Sequence, residues 1–433
     1  MAGMKDLARL VRELEDQLVV CMRCGMCQAV CPLYAETGRE ADVARGKLAL
    51  LEGLSKEMFR DPEGVSERLN RCLLCGSCAA NCPSGVKVLD IFLKARAILA
   101  GYMGLSPVKR LILRGMLANP AFFDRLTEWG ARFRDLFTKP ANEVLGTSCA
   151  RFASPLLGNR HIKPLAPRPF HAELPALDSP AGSSGLKVAF FVGCLIDKIF
   201  PSVAHATLKV LQKHGVGVYL PDNQGCCGIP AASSGDMAAF KKLVRHNLER
   251  FPAHRFDVLV TSCATCTSTI RKVWPVLFAE DGADILERVR ALSEKTMDIH
   301  EFLVRRLGLR PEPATPRADA VPVTYHDPCH LKKSLGVFAE PRALLRANGN
   351  IRLVEMAQSD WCCGLGGSFS LEHYDLSSQV GRKKRDMVAA TGARIVATGC
   401  PACMIQFHDR LSQAGDAVQV RHAIELYAEA LAP

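Results

Sequence analysis

The sequence predicts a fold in two parts, a helical metal-binding region and then a duplicated α/β unit with pseudo-twofold symmetry. Three observations carry this. Eight cysteines are packed into residues 1–104 in two copies of one spacing, and ten more form two similar sets after residue 187. Between them, residues 138–186 hold seven prolines (140, 155, 164, 167, 169, 175 and 180) and no sustained periodicity, as in an extended linker. The 433 residues are 48% hydrophobic and 23% charged, which excludes a disordered or collagenous chain and allows a sizeable core. The 19 cysteines are too sparse for a small disulfide scaffold, odd in number and clustered, so they point to metal in a reducing compartment. The first twenty residues are charged and helical in pattern, and the most apolar stretch, Val188 to Ile196, is far short of the ~18 residues of a spanning helix. The expectation is a cytoplasmic protein without a membrane anchor of its own.

In the first region, Cys21-x2-Cys24-x2-Cys27-x3-Cys31-Pro32 recurs as Cys72-x2-Cys75-x2-Cys78-x3-Cys82-Pro83. Three thiolates at three-residue steps wrap a turn of chain around three irons of a cubane. The following proline stops the helix and frees the fourth cysteine to reach away. In two-cluster proteins that fourth cysteine ligates the other cluster. The spacing therefore assigns Cys21, Cys24, Cys27 and Cys82 to one [4Fe–4S] cluster and Cys31, Cys72, Cys75 and Cys78 to a second. The competing readings are disulfides or zinc, although zinc prefers two separated Cys-x-x-Cys pairs. Leu7, Leu10, Val11, Leu14 and Leu18 form one face of a leading helix that packs onto this module, and Ala41–Leu54 has helical spacing in the gap between the motifs.

The last block is an internal repeat. Cys194, Cys226-Cys227 and Cys263-x2-Cys266 recur as Cys329, Cys362-Cys363 and Cys400-x2-Cys403, at offsets of 135, 136 and 137 residues. The Pro-rich run from Pro311 to Pro316 separates the copies, giving repeats over 187–310 and 321–433. Short apolar, β-branched runs predict strands at Lys187–Gly193, Val216–Leu220, Val258–Thr261, Val321–Tyr325 and Ile395–Thr398. Helical patterns at Pro201–His214 and Asp236–Arg250 alternate with them. This alternation places the cysteines at the carboxyl ends of parallel strands. Two vicinal cysteine pairs, each followed by glycine (Gly228, Gly364), suggest metal ligation, since glycine lets the backbone turn tightly behind converging ligands. Five thiolates per set exceed the four of a cubane or of structural zinc. His326 and His330 flank Cys329. They would serve as ligands of a variant site or as hydrogen-bond donors that raise a cluster's potential. A plain helix-start role for Asp327 and His330 competes with this. Cys149 falls in the Pro-rich segment as an incidental thiol.

These residues resemble known families. The gap between the first two motifs resembles the α-helical ferredoxin module of succinate dehydrogenase and related respiratory subunits. The Cys-Cys-Gly repeats resemble those of the disulfide-reducing subunit of heterodisulfide reductase, in which each five-cysteine set holds a non-cubane [4Fe–4S] cluster. By that resemblance Cys194, Cys226, Cys227, Cys263 and Cys266 hold one such cluster, and Cys329, Cys362, Cys363, Cys400 and Cys403 the other. The combination, including CMRCGMCQAVCPLY, RCLLCGSCAANCPSGV and SPVKRLILRGMLANPAFFDRL, resembles the iron–sulfur subunit of glycolate oxidase and D-lactate dehydrogenase complexes over nearly the whole chain. It implies an electron-transfer subunit working beside a separate FAD subunit that oxidises a 2-hydroxy acid, with electrons passing towards quinone or another membrane carrier. Several relatives in that group lack ligands of one five-cysteine set, whereas all ten are present here. The alternative is therefore a catalytic subunit that reduces a disulfide at the non-cubane clusters, and structural zinc in one set is a further one.

No Gly-x-Gly-x-x-Gly follows a strand, and Gly364-x-Gly366-Gly367 only continues the second Cys-Cys-Gly. The expectation is that this chain binds neither flavin, nicotinamide nor nucleotide through glycine-rich turns. An iron–sulfur chain without a hydride acceptor cannot oxidise an alcohol carbon alone, so FAD belongs on a partner. The net charge of +11 would suit nucleic acid. Cluster–thiolate assemblies are anionic, however, and Arg23, Arg71 and Lys87 beside the ligands offset them, so no nucleic-acid partner is expected. Residues 105–137 are basic and amphipathic. Phe122, Leu126, Trp129, Phe133, Leu136 and Phe137 line one helical face opposite Arg125, Arg132 and Arg134. Such a segment docks a partner, lies peripherally on the inner face of the cell membrane, or packs against the cluster domain.

Overall fold

The structure, a computed structural model, describes residues 4–152 and 158–431. Pro155 of the Pro-rich segment lies outside the described residues. The fold is α plus α/β and divides into two units. One comprises the chain up to Ala118 together with Gly228–Lys242 and Gly364–Val380; the other comprises Asn119–Cys227, Leu243–Cys363 and the chain from Gly381 onward. The division thus cuts both Cys-Cys-Gly motifs at the same bond, between the second cysteine and the glycine.

The first unit is helical. Its leading helix, Met4–Arg12, buries Leu7, Ala8 and Val11, and Leu14 and Leu18 continue the buried stripe, with Leu10 half-buried. The helix Ala44–Ser55 fills the gap between the cysteine motifs and buries Leu48, Leu51 and Leu54. Pro62–Asn70 starts where Asp61 accepts from the Gly64 amide and Pro62 supplies the first helical φ, two start signals acting together. Val88–Met103 buries Ile91, Phe92 and Leu99 and stops at Gly104. The segments Gly228–Lys242 and Gly364–Val380 belong to this unit, the first of them through buried polar contacts. Arg96, only 5% exposed, donates to the carbonyls of Ser233 (2.8 Å), Leu69 (2.6 Å) and Cys72 (3.0 Å). Arg114 grips the buried Asp236 carboxylate with one nitrogen at 2.9 and 3.1 Å.

The second unit contains both repeats. It begins with the helix Pro120–Arg132, followed by a hairpin of β1 (Thr138–Asn142) and β2 (Thr147–Ala150). The first sheet holds β3 (Leu177–Asp178), β4 (Lys187–Phe191), β5 (Gly217–Leu220), β6 (Val258–Thr261) and β7 (Thr296–Asp298) in the order β3-β5-β4-β6-β7. The second holds β8 (Val321–His326), β9 (Ile351–Leu353), β10 (Ile395–Thr398) and β11 (Gln419–His422) in the order β11-β10-β8-β9. Numbered within each repeat, both read 2-1-3-4 and all four strands run parallel. The central strands are apolar because both faces are covered: Val188, Phe190, Leu259, Val260, Val323 and Val396 are fully buried. The first sheet gains β3, antiparallel to β5.

The hairpin, β3 and a turn of helix at Phe170–Glu173 show that the Pro-rich segment is more than a tether. Phe170 is buried edge-on against Phe190, 6.5 Å between ring centroids, and Leu177 pairs with Leu220. Long-range packing supplies this order, so local periodicity carried no sign of it. The amphipathic segment differs from its expected face as well. Its helix ends at Arg132 and a separate turn follows, and Phe123, Asp124 and Ala131 face inward. Phe122, Trp129, Phe133, Leu136 and Phe137 are exposed. Among the described residues no helix is long and apolar enough to cross a membrane.

Candidate metal centres

Both cysteine loops of the first unit fold alike. Arg23 (φ 57°) and Gly25 (φ 86°) bracket Cys24, and Leu74 (φ 50°) and Gly76 (φ 73°) bracket Cys75. Left-handed residues on either side of the middle cysteine curl each loop around a centre before a short helix begins at Met26 or Ser77. Two cavities result. One is lined by Cys21, Cys24 and Cys27 together with Cys78 and Cys82; the other by Cys72, Cys75 and Cys78 together with Cys31. The fourth cysteine of each motif thus sits with the three thiols of the other.

Burial pushes the Cys31 thiol up to about 12, with Cys75 and Cys72 adding like-charge repulsion, and raises Cys27 and Cys78 as well. A bound cation offsets that penalty, so metal binding at these thiols releases their protons. None of the nineteen cysteines is in a disulfide. Of the expected cations, Arg71 pairs with buried Asp42 at 3.3 Å, Arg23 pairs with Glu52, and Lys87 is exposed. Sequence reasoning missed Lys47, which is buried on the wall of the second cavity and donates to the Ala41 carbonyl.

In the second unit the ten remaining ligand candidates sit at carboxyl ends of strands. Cys194 opens the helix after β4, Cys226-Cys227 lie in the loop after β5, and Cys263 and Cys266 begin the helix after β6. Cys329, Cys362-Cys363, Cys400 and Cys403 repeat this after β8, β9 and β10. The strand order reverses between the first and third strands of each repeat, and a crevice forms at such a switch point. The sulfurs of Cys194 and Cys226 are 3.7 Å apart, and those of Cys363 and Cys403 are 3.4 Å apart. Two thiolates on one tetrahedral metal with ~2.3 Å bonds stand about 3.8 Å apart, so the spacing suits a shared ion. Gly228 (φ 90°) and Gly364 (φ 96°) turn the chain behind the vicinal pairs; at Gly228 a Cβ would also strike the Phe240 ring at 2.8 Å.

The two sets meet. The thiols of Cys263 and Cys400, at corresponding positions, act on each other electrostatically, and Cys263 leads in holding Cys400 well below the usual thiol range. Thr265 of the first repeat reaches Cys400 Sγ at 3.3 Å and His330 Nδ1 at 3.1 Å. The Ala264 amide donates to the Gly399 carbonyl. Behind the vicinal pairs stand polar groups that sequence reasoning passed over. Asn247 takes the Gly225 amide and donates to the Cys226 carbonyl, while Trp274 Nε1 donates to the Cys227 carbonyl at 2.9 Å. The signal for Asn247 was a polar residue on the buried stripe Phe240, Leu243, Val244 and Phe251.

Asp327 does not start a helix. The helix opens at Cys329 with Pro328 before it and no side-chain cap. The buried Asp327 carboxylate instead takes both forks of Arg342 at 2.7 and 2.9 Å and the Ser359 hydroxyl at 2.7 Å. His330 faces Thr265, whereas His326 points towards Cys363 and Cys403. Cys149 lies on β2.

Comparison with known proteins accords with this arrangement. The 4Fe-4S dicluster domain profile matches residues 17–86, and the cysteine-rich domain profile matches twice, at 188–271 and 323–408. The chain is 30% identical to the probable glycolate oxidase iron–sulfur subunit of Bacillus subtilis, over 96% of this chain and 94% of that one. It belongs to that family of iron–sulfur subunits. A fumarate reductase (CoM/CoB) subunit of Methanothermobacter marburgensis is 29% identical over 94% of this chain and 71% of that one. Lactate utilization protein A of B. subtilis is 32% identical over 56% of this chain and 98% of its own length. A Helicobacter pylori protein described as hypothetical matches in structure at a TM-score of 0.53 and 11% identity, over 100% of this chain and 77% of that one, which shows the fold alone. Members of this family hold iron–sulfur clusters, and the buried, cation-demanding thiols here fit such groups.

Proposed function

We propose that this chain is the electron-relay subunit of a flavin-dependent 2-hydroxy acid dehydrogenase complex, acting on D-lactate or glycolate. Cys21, Cys24, Cys27 and Cys82 hold one cubane [4Fe–4S] cluster, and Cys31, Cys72, Cys75 and Cys78 a second. Each five-cysteine set holds a non-cubane cluster. Clusters bound at these thiols supply one-electron carriers, which is what separates the two electrons of a flavin. FAD sits on the partner, and quinone or another membrane carrier receives the electrons. The observation that carries this reading is the contact of the two five-cysteine sets, where Thr265, between Cys263 and Cys266, reaches Cys400 Sγ at 3.3 Å and the Ala264 amide donates to the Gly399 carbonyl. The chain's own groups bind and enclose: the vicinal pairs and the Cys-x2-Cys pairs of both repeats are buried from water, and Lys47, Arg96 and Lys384 place buried positive charge near the anionic sites. The test is anaerobic purification with and without the flavoprotein. Four clusters bring about 16 iron atoms per chain. D-lactate or glycolate should bleach the cluster absorbance only when the flavoprotein is added; bleaching by the isolated chain would overturn the relay reading.

The presence of all ten cysteines favours a second reading, a disulfide reductase whose substrate binds at the Cys-Cys-Gly sites. Reduction of a heterodisulfide by the isolated chain with an artificial donor would select it.

A further inference from the structure

The two repeats share their ligand spacing but differ in the residue three positions before the first cysteine. His326 ends β8 in the second repeat, and Phe191 ends β4 in the first. Phe191 offers no donor and packs its ring on Phe251, 5.5 Å between centroids. His326 is fully buried, and its Nε2 has no hydrogen-bond partner. A donor atom of His326 and the sulfurs of Cys363 and Cys403 all lie within 4.8 Å of one another. The other ring nitrogen, Nδ1, is 3.1 Å from the Ser359 carbonyl. A carbonyl only accepts, so Nδ1 carries the proton and the neutral ring turns the Nε2 lone pair towards the thiols.

This is the posture of a ligand, because metal-bound histidines anchor their second nitrogen on a carboxylate or a backbone carbonyl. The anchor is itself built. The Ser359 carbonyl also accepts from the Asp327 amide at 3.0 Å and from Lys384 Nζ at 2.9 Å. Lys384 is buried where the first repeat has Asn247, 137 residues earlier. The ring is further held edge-on by Phe407, 5.2 Å between centroids.

We propose that His326 Nε2 is a metal ligand of the second five-cysteine site, on the iron held by Cys363 and Cys403, and that it makes the two sites chemically unequal. This rests on the reading that both sets hold iron–sulfur clusters. A neutral imidazole adds no negative charge, so the two sites keep equal thiolate charge and differ in the nitrogen ligand that only the second has.

The experiment uses the full chain, purified without air, with iron and acid-labile sulfide counted, partly reduced, and measured by electron–nuclear double resonance with natural-abundance and ¹⁵N-histidine protein. A strongly coupled nitrogen whose pattern changes with the isotope is expected, and it should vanish in His326→Phe. The isotope comparison needs no substitution, so a misfolded variant does not weaken the test. Iron at both sets with no histidine coupling, or a coupling that survives in His326→Phe, overturns the proposal alone. About 8 iron atoms per chain, confined to the first unit, overturns the cluster reading and the proposal with it.

Discussion

Thr265 of the first repeat lies 3.3 Å from the sulfur of Cys400 of the second, two residues on from Cys263, the counterpart of Cys400 137 residues earlier. Cys263 and Cys400 each open the helix after the third strand of their repeat, so the duplication brings the two sets together at equivalent points. Replacing either thiol should therefore disturb both sites. Cys400→Ala is expected to change the electron paramagnetic resonance signals of both five-cysteine sets, and Cys194→Ala those of the first set. Independent responses to both substitutions would show that the sets are uncoupled.

Arg96 satisfies three carbonyls at once, those of Ser233, Leu69 and Cys72, in a buried position. Arg96→Met keeps much of the packing and leaves the acceptors bare, each at a cost of about 1–3 kcal/mol. We expect a loss of roughly 3 kcal/mol or more, together with weaker iron retention at the site of Cys72. Chemical denaturation of the anaerobic holoprotein and its iron content after gel filtration measure the two effects. An unchanged midpoint would show that Arg96 is not a brace.

Trp274 is fully buried and donates to the Cys227 carbonyl. Trp274→Phe should cost about 1 kcal/mol through the lost hydrogen bond and the carbonyl left behind, and Trp274→Ala about 3–5 kcal/mol through the cavity. Denaturant midpoints read both, and equal losses would deny the hydrogen bond any share.

What was legible in the sequence follows from locality. Strands such as Val258–Thr261 and Ile395–Thr398 announce themselves because a parallel strand covered on both faces needs unbroken apolar residues. The three-residue cysteine steps announce a loop that closes on itself. The residues that complete the sites are scattered: Arg96 meets Ser233, and Lys384 meets Ser359, through contacts that no window of sequence contains. The exchange of Phe191 for His326 was visible in the aligned repeats, yet only the buried, partnerless nitrogen gives it meaning. The strand β3 was hidden because Leu177 becomes a strand residue only when Leu220 is beside it.

Two histidines should give the stability opposite dependences on pH. His171 is raised from its ordinary value by hydrogen bonds to Asp197, so its contribution is fully present below about pH 6.5 and is lost as pH rises through the folded value. His408 is pushed down to about 3 by burial. Its unfolded form takes a proton that the folded form refuses, so stability is lost as pH falls from about 6.5 towards 3. His408→Leu should flatten the acid limb, and His171→Asn the limb above pH 6.5. Thermal unfolding of the two variants across that range is the check; an acid limb unchanged in His408→Leu would assign the acid sensitivity to other groups.

The exposed aromatic cluster of the second unit makes a prediction about assembly. Phe122, Trp129, Phe133, Leu136 and Phe137 leave large apolar surface in water within sixteen residues, next to Arg125 and Arg132. Their helix is already anchored on its other side, where Asp124 pairs with Lys198 at 2.7 Å and Lys198 lies over the Phe123 ring. Folding therefore does not need the exposed side chains, and surface substitutions away from packed features usually change stability by within about 0.5 kcal/mol. Clustered exposed apolar surface marks a docking site for a partner or a membrane. Replacing Trp129, Phe133 and Phe137 with Gln should leave iron content and unfolding midpoint unchanged while weakening recovery of the proposed flavoprotein complex or binding to anionic vesicles. Co-purification and vesicle flotation, run side by side, show which of the two surfaces this segment meets, and full retention of both activities would assign it to neither.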